Sequence, residues 1–116
     1  WATWCGPCQD PMAELNRVAK ARAEEWKEKV ALIGASIDDE RETVQKHLKK
    51  NDWLSPRQLW CASAGEDKQG WQAPAAKTYG IRGVPTALLI DKDGKITWRG
   101  HPSGFDKDAE IGKLLK

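Results

Sequence analysis

The sequence predicts one α/β domain on a central mixed sheet, mainly parallel with an antiparallel edge, flanked by helices on both faces. Three observations predict it. Hydrophobic spacing alternates between helical and strand periods along the chain. Residues 30–37 form a nearly continuous apolar run, as expected for a strand in a sheet covered on both faces. Late in the chain, Asp93-Gly94 joins two β-rich stretches as a tight hairpin. At 116 residues, the span 1–116 fits a single domain with one core.

The first helix follows from Met12, Leu15, Ala19, Ala23 and Trp26, which recur every three or four residues, with Val18 widening the stripe. Pro7 suits the first turn, where a missing N–H costs nothing. Pro11 lies deeper, so it should remove a ladder hydrogen bond and bend the helix. The strand at 30–37 comes next. Asp39 with Glu42 three residues on resembles a capping box for a second helix. That helix turns Val44 and Leu48 inward and Lys46, Lys49 and Lys50 outward, and should end near Asn51-Asp52.

Residues 57–62 read as a short strand, with Leu59 and Cys61 on one face and Trp60 on the other. The polar stretch 63–70 reads as a loop. Pro74 opens a short helix through Tyr79, and Gly80 suits its C-terminal cap. Residues 86–90 are a β-rich apolar strand, and the hairpin leads into 95–99, where Ile96 and Trp98 alternate with polar neighbours. Asp106 or Asp108 opens a last helix carrying Ile111, Leu114 and Leu115.

The chain starts at Trp1, four residues before Cys5, whereas a helix of this kind follows a buried central strand. Only Trp1 and Ala2 of that strand are expected here, and its two neighbours would be left with unpaired edges.

Composition narrows the function classes. Hydrophobic residues make up 40% and charged residues 31%, which is globular rather than disordered. A formal charge of +2, without basic runs interleaved with aromatics, gives no footprint for nucleic acid. No apolar stretch approaches a membrane span. Of seven tryptophans, Trp4 beside Cys5 is the one read as functional.

Chemistry concentrates at Trp4-Cys5-Gly6-Pro7-Cys8. Two thiols one helical turn apart can close a disulfide with little backbone movement. At a helix N-terminus, unpaired N–H groups and the positive dipole end favour a thiolate at Cys5. That chemistry is thiol–disulfide exchange. A zinc site would need four ligands, and only Cys61, His47 and His101 are left, scattered singly. A purely structural bridge restricts little, since the residues are only three apart. Cys61, in an apolar stretch without a basic neighbour, reads as a buried, inert thiol. His47 reads as a boundary residue, His101 as a loop residue, and the acids of residues 38–42 as a helix start rather than a metal site.

Residues 1–8, Trp-Ala-Thr-Trp-Cys-Gly-Pro-Cys, resemble the active-site segment of the thioredoxin superfamily, and Gly83-Val84-Pro85-Thr86 resembles its second signature. Within the superfamily, the chain resembles the TlpA/ResA-like bacterial thiol–disulfide oxidoreductases. The long stretch between Cys8 and Pro85, Tyr79-Gly80-Ile81, and the Leu89 to Ile96 segment carry that likeness. The resemblance implies a thioredoxin-like fold, with Cys5 as attacking thiolate and Cys8 as resolving thiol. Trp4, Gly6, Pro7, Val84, a cis Pro85 and Thr86 would shape the substrate site. It also implies a reductant of protein disulfides recharged by an upstream electron-donor protein. The redox-active disulfide would serve without a cofactor or metal, in a monomer when complete, in a bacterial extracytoplasmic compartment and without membrane contact of its own. Two features depart from the subgroup: its buried acid would fall before Trp1, and Pro11 comes early. Two other readings stand beside this one. Thr3, two residues before Cys5, resembles part of the peroxiredoxin pattern, which would make the chain a thiol peroxidase. A non-catalytic binding module with a vestigial Cys-x-x-Cys is the other.

Overall fold

Helix α1, Gly6–Ala21, starts one residue after Cys5 and runs through Pro11, whose missing N–H leaves the Pro7 carbonyl without its ladder donor. A computed structural model of the chain describes residues 1–63, 65 and 67–115. The remaining elements are β1 (Ile33–Ser36), α2 (Arg41–Asn51), β2 (Arg57–Trp60), α3 (Pro74–Thr78), β3 (Ala87–Ile90), β4 (Ile96–Gly100) and α4 (Lys107–Leu114). Single 3-10 turns sit at Gly70–Gln72 and Pro102–Gly104.

The strands form two ladders. β1 pairs with β2 in parallel, Ala35 opposite Leu59, and β3 pairs with β4 antiparallel, Leu89 opposite Trp98. The expected mixture of parallel and antiparallel pairs is present, but hydrogen bonding does not join it into one sheet among the described residues. Along β1, alternate residues bond to opposite sides. The Leu32 and Ser36 carbonyls accept from the β2 side, while the Ala35 carbonyl and the Ile37 N–H reach Trp1 at 3.0 and 2.9 Å. Trp1 therefore hydrogen-bonds along the edge of β1 opposite β2. This register fixes where the cysteines begin.

Two apolar clusters hold the elements, and α1 contributes to both. Cys5, Cys8 and Met12 pack with Val44, Leu48, Trp53, Ala73 and Ala76, whereas Val18 packs with Trp26 and Ile111. Burying a side chain such as Met12 stabilises the fold by about 1.5–3 kcal/mol. Gly34 lets α1 approach β1 closely, because a Cβ there would lie 2.9 Å from the Met12 terminal methyl. Asn16, on the buried side of α1, accepts from the Ser55 N–H at 3.1 Å, which ties the turn before β2 to the helix.

Several expectations need correction. The α1 stripe stops early: the helix ends at Ala21, Ala23 is exposed, and Trp26 reaches the core from the turn that follows. Glu40, not Asp39, is the N-cap of α2 and makes no side-chain capping bond, so the capping box does not form. The run at 30–37 gives only a four-residue strand with alternating burial, and Ile33 and Ala35 face outward, because no described element packs on that side. Leu59 is 48% exposed, while Trp60 and Cys61 both pack against the first cluster; the strand ends at Trp60, so alternation no longer governs Cys61. Leu114 and Leu115 are also exposed, since only Ile111 of the last helix reaches the core. The predicted loop at 63–70 includes Ala64 and Glu66, which lie outside the described residues; its described ends pair as an Ala62–Gln69 bridge.

Other expectations agree with the structure. Asp52 closes α2 in the left-handed conformation, Gly80 follows α3 with φ +63°, and Asp106 caps α4 through the Ala109 N–H.

Candidate active site

Cys5 is the N-cap of α1, with extended backbone (φ −88°, ψ 104°) and no side-chain cap. The first N–H groups of the helix therefore have no side-chain oxygen in front of them, and the thiol of Cys5 sits beside that positive end. Cys5 and Cys8 are joined as a disulfide, their Cα atoms 5.3 Å apart. Cys8 is fully buried, Cys5 keeps 5% of its surface, and Gly6, Pro7 and Trp4 beside them are exposed. Of the two, Cys5 is the one nearer the surface.

The segment leading into the helix is clamped from both sides. The Asp38 carboxylate, just past β1, accepts from the Thr3 N–H at 3.0 Å and from the Thr3 hydroxyl at 2.5 Å. It also accepts from the Ser36 hydroxyl at 2.5 Å, and that hydroxyl in turn accepts from the Asp38 N–H at 3.0 Å. Asp38 is 2% exposed, and such a set of donors is what a buried carboxylate requires. The Trp60 indole N–H donates to the Asp38 carbonyl at 2.7 Å, which anchors the same corner to β2. On the other side, the Gln9 amide donates to the Cys5 carbonyl at 2.7 Å.

Of the second signature, Val84 packs against the cluster that contains both cysteines, and the Val84–Pro85 peptide bond is cis. The Thr86 hydroxyl donates to the Gly83 carbonyl at 2.6 Å and closes that loop on itself. Arg99 of β4 reaches back to the Tyr79 and Gly80 carbonyls, so the hairpin supports the start of this loop. Beside Pro7, an open groove of about 460 Å³ runs between α1 and the segment after β4, lined by Pro7, Asp10, Pro11, His101, Pro102 and Phe105.

The remaining candidates fall elsewhere. Cys61 is a free, half-buried thiol, and burial pushes its pKa up. His101 accepts from the Ser103 N–H within its own turn. Among the described residues, no group of three or more His, Cys, Asp and Glu side chains could hold a metal ion. No helix among them is long and apolar enough to cross a membrane.

Sequence reasoning missed Asp38, Ser36 and Gln9. The available signals were spacing: Ser36 and Asp38 alternate at the end of a strand, and Gln9 lies four residues after Cys5, on the same helical face.

A disulfide across the first turn of a helix, with a cis-proline loop whose Val84 packs on the same apolar cluster, is an arrangement of the dithiol–disulfide class of α/β proteins. The chain belongs to the thioredoxin-like family, whose model matches residues 1–96. Its similarity within that family is to thiol-disulfide oxidoreductases named ResA, among others. The thiol-disulfide oxidoreductase ResA of Bacillus thuringiensis subsp. konkukian is 35% identical over 97 residues, covering 83% of this chain and 48% of the relative. The thioredoxin-like protein YneN of Bacillus subtilis is 24% identical over 100% of this chain and 55% of its own length. Nucleoredoxin of Danio rerio is 24% identical over 96% of this chain and 24% of its own length. The chain thus spans about half the length of the ResA relatives that it matches. Among solved structures, a Chlorobium tepidum protein assigned as a thiol:disulfide interchange protein DsbE superposes with a TM-score of 0.66. That match has 23% identity and covers 99% of this chain and 73% of the other, and it shows the thioredoxin-like fold.

Proposed function

We propose that the protein is a thiol–disulfide oxidoreductase that reduces protein disulfides through Cys5 and Cys8. One observation carries the reading: the disulfide sits at the helix N-terminus beside the exposed Trp4, Gly6 and Pro7, and Cys5 is the less covered of its two residues. The likeness to ResA supports the same chemistry.

In the reduced protein, the helix N-terminus favours a thiolate at Cys5. A thiol of pKa about 8.5 is only a few per cent ionised at neutral pH, whereas one of about 7 is half ionised. The Cys5 thiolate attacks one sulfur of the substrate disulfide. A Cys5–substrate bond forms, the substrate bond breaks, and the first substrate sulfur leaves as thiolate. Cys8, having lost its proton to solvent, then attacks the Cys5 sulfur and releases the second substrate thiolate. Two electrons pass to the substrate, its thiolates take up two protons, and the Cys5–Cys8 disulfide is left.

The redox-active pair is the only cofactor this scheme uses. An upstream dithiol protein supplies the electrons that restore it. Trp4, Gly6 and Pro7 form the exposed rim that meets the substrate. Val84, Pro85 and Thr86 offer backbone groups to an extended substrate segment, since Pro85 has no N–H of its own. By resemblance, the working place is extracytoplasmic, periplasmic or at a membrane anchor, and the complete protein is a monomer.

The test compares turnover of an insulin-type disulfide with turnover of hydrogen peroxide. Disulfide reduction that needs both cysteines supports the reading. Fast peroxide consumption with slow disulfide reduction would replace it with a peroxidase. The Thr3 hydroxyl argues against that alternative, because it already donates to Asp38 and has no second hydrogen for a peroxide.

A further inference from the structure

Gln9 lies four residues after Cys5, on the same helical face, and its amide nitrogen sits among three carbonyls. The Cys5 carbonyl is 2.7 Å away, and those of Ala2 and Thr3 are each 3.4 Å away. Three acceptors fix the orientation of the amide, so the nitrogen faces the loop and Oε1 must face away. Oε1 lies 2.7 Å from Nε2 of His47 on α2. An amide oxygen only accepts, so His47 donates from Nε2, as both the Nε2–H tautomer and the imidazolium can. The His47 ring packs against both Trp1 and Trp53, with centroids at 5.8 and 5.5 Å, and the two indoles meet each other at 6.2 Å. Contact with two indoles therefore steadies the imidazole, the imidazole sets the amide, and the amide sets the turn that carries Cys5.

We propose that Gln9, oriented by His47, is a positioning residue for Cys5. Carbonyl oxygens crowded beside the N-cap oppose a new negative charge there. The Gln9 N–H dipole offsets them, and it holds the entry loop in the conformation that leaves Cys5 in front of the helix. Nothing in the Cys-x-x-Cys spacing requires this. It is a contribution of this chain's own residues to how readily the Cys5 thiolate forms. The proposal rests on Cys5 being the reacting thiol.

The test uses the 116-residue chain with Cys8→Ser and Cys61→Ala, so that Cys5 is the sole thiol, and follows its alkylation by iodoacetamide against pH. Gln9→Leu should move the midpoint upward and slow alkylation at neutral pH by about three- to tenfold, the scale of one lost hydrogen bond. Gln9→Lys, whose ammonium donates to the same carbonyls and adds a positive charge, should bring the midpoint to the parent's or below it. His47→Phe keeps a ring against the two indoles but loses the donor, so it should shift the midpoint in the same direction as Gln9→Leu by less. Superposable profiles for the parent, Gln9→Leu and His47→Phe would overturn the proposal. Equal shifts for Gln9→Leu and Gln9→Lys would also overturn it, because packing alone would then explain both. A parent midpoint equal to that of free cysteine would count against the proposed function, while the displacement between parent and variants would still decide this one. Should Gln9→Leu not fold, His47→Phe carries the test.

Discussion

The carboxylate of Asp38 and the backbone N–H of Thr3 lie 3.0 Å apart, and the Thr3 hydroxyl closes on the same carboxylate at 2.5 Å. The end of β1 is thereby fastened to the residue two before Cys5, inside a part of the fold where Asp38 is almost wholly covered. Position of Cys5 and stability of the domain are linked through this contact.

Asp38→Asn keeps the size of the side chain but turns one acceptor into a donor that faces other donors. With Thr3 or Ser36 left unpaired in a buried place, the variant should lose about 1–3 kcal/mol of stability. The measurement is the midpoint of urea unfolding. A midpoint within error of the parent would show that the clamp does not hold the fold.

Gly34 faces α1 at close range, with the ends of Gln58 and Met12 in the space a Cβ would take. An alanine Cβ would meet Gln58 Oε1 at 2.4 Å and the Met12 methyl at 2.9 Å, both at the ends of flexible side chains. Those ends can shift, so Gly34→Ala should cost about 1 kcal/mol, near the low end for overpacking, and Gly34→Val distinctly more. Calorimetric or denaturant midpoints for the pair decide it. Equal stability of all three would mean that α1 and β1 are not in close contact.

Cys61 packs against the core, and burial raises its pKa, so at neutral pH less of it is thiolate than of a free cysteine. Its alkylation should be slower than that of free cysteine at every pH below its own midpoint. Cys61→Ala should leave disulfide reduction unchanged. Mass mapping after brief iodoacetamide treatment of the reduced protein checks both statements, and preferential labelling of Cys61 would contradict them.

Local signals in the sequence recovered the parts of the fold that local chemistry decides. Pro7 and the thiol spacing located the start of α1 and Asp93-Gly94 located the β3–β4 turn, while the cis bond at Pro85 was expected from the resemblance of Gly83 to Thr86 to a family signature. Features decided by distant partners were not legible. Glu40 rather than Asp39 starts α2, although nothing local favours it. The outward face of Ile33, Ala35 and Leu59 depends on what packs against the β1–β2 ladder, which an apolar run alone does not record. At the site, the cysteines and the proline loop were readable as motifs. Asp38 and Gln9 were not, because each acts on residues brought near it only by folding, across 35 positions from Thr3 in the case of Asp38.

The central claim is that Cys5 attacks and Cys8 resolves. Its most direct test is to incubate reduced Cys8→Ser protein with a disulfide-bonded polypeptide and locate the trapped adduct by peptide mass mapping. The account predicts a stable mixed disulfide on Cys5, released by added dithiol and absent in the Cys5→Ser, Cys8→Ser double variant. An adduct carried by Cys61, or no adduct while the parent protein still reduces the substrate, would contradict it.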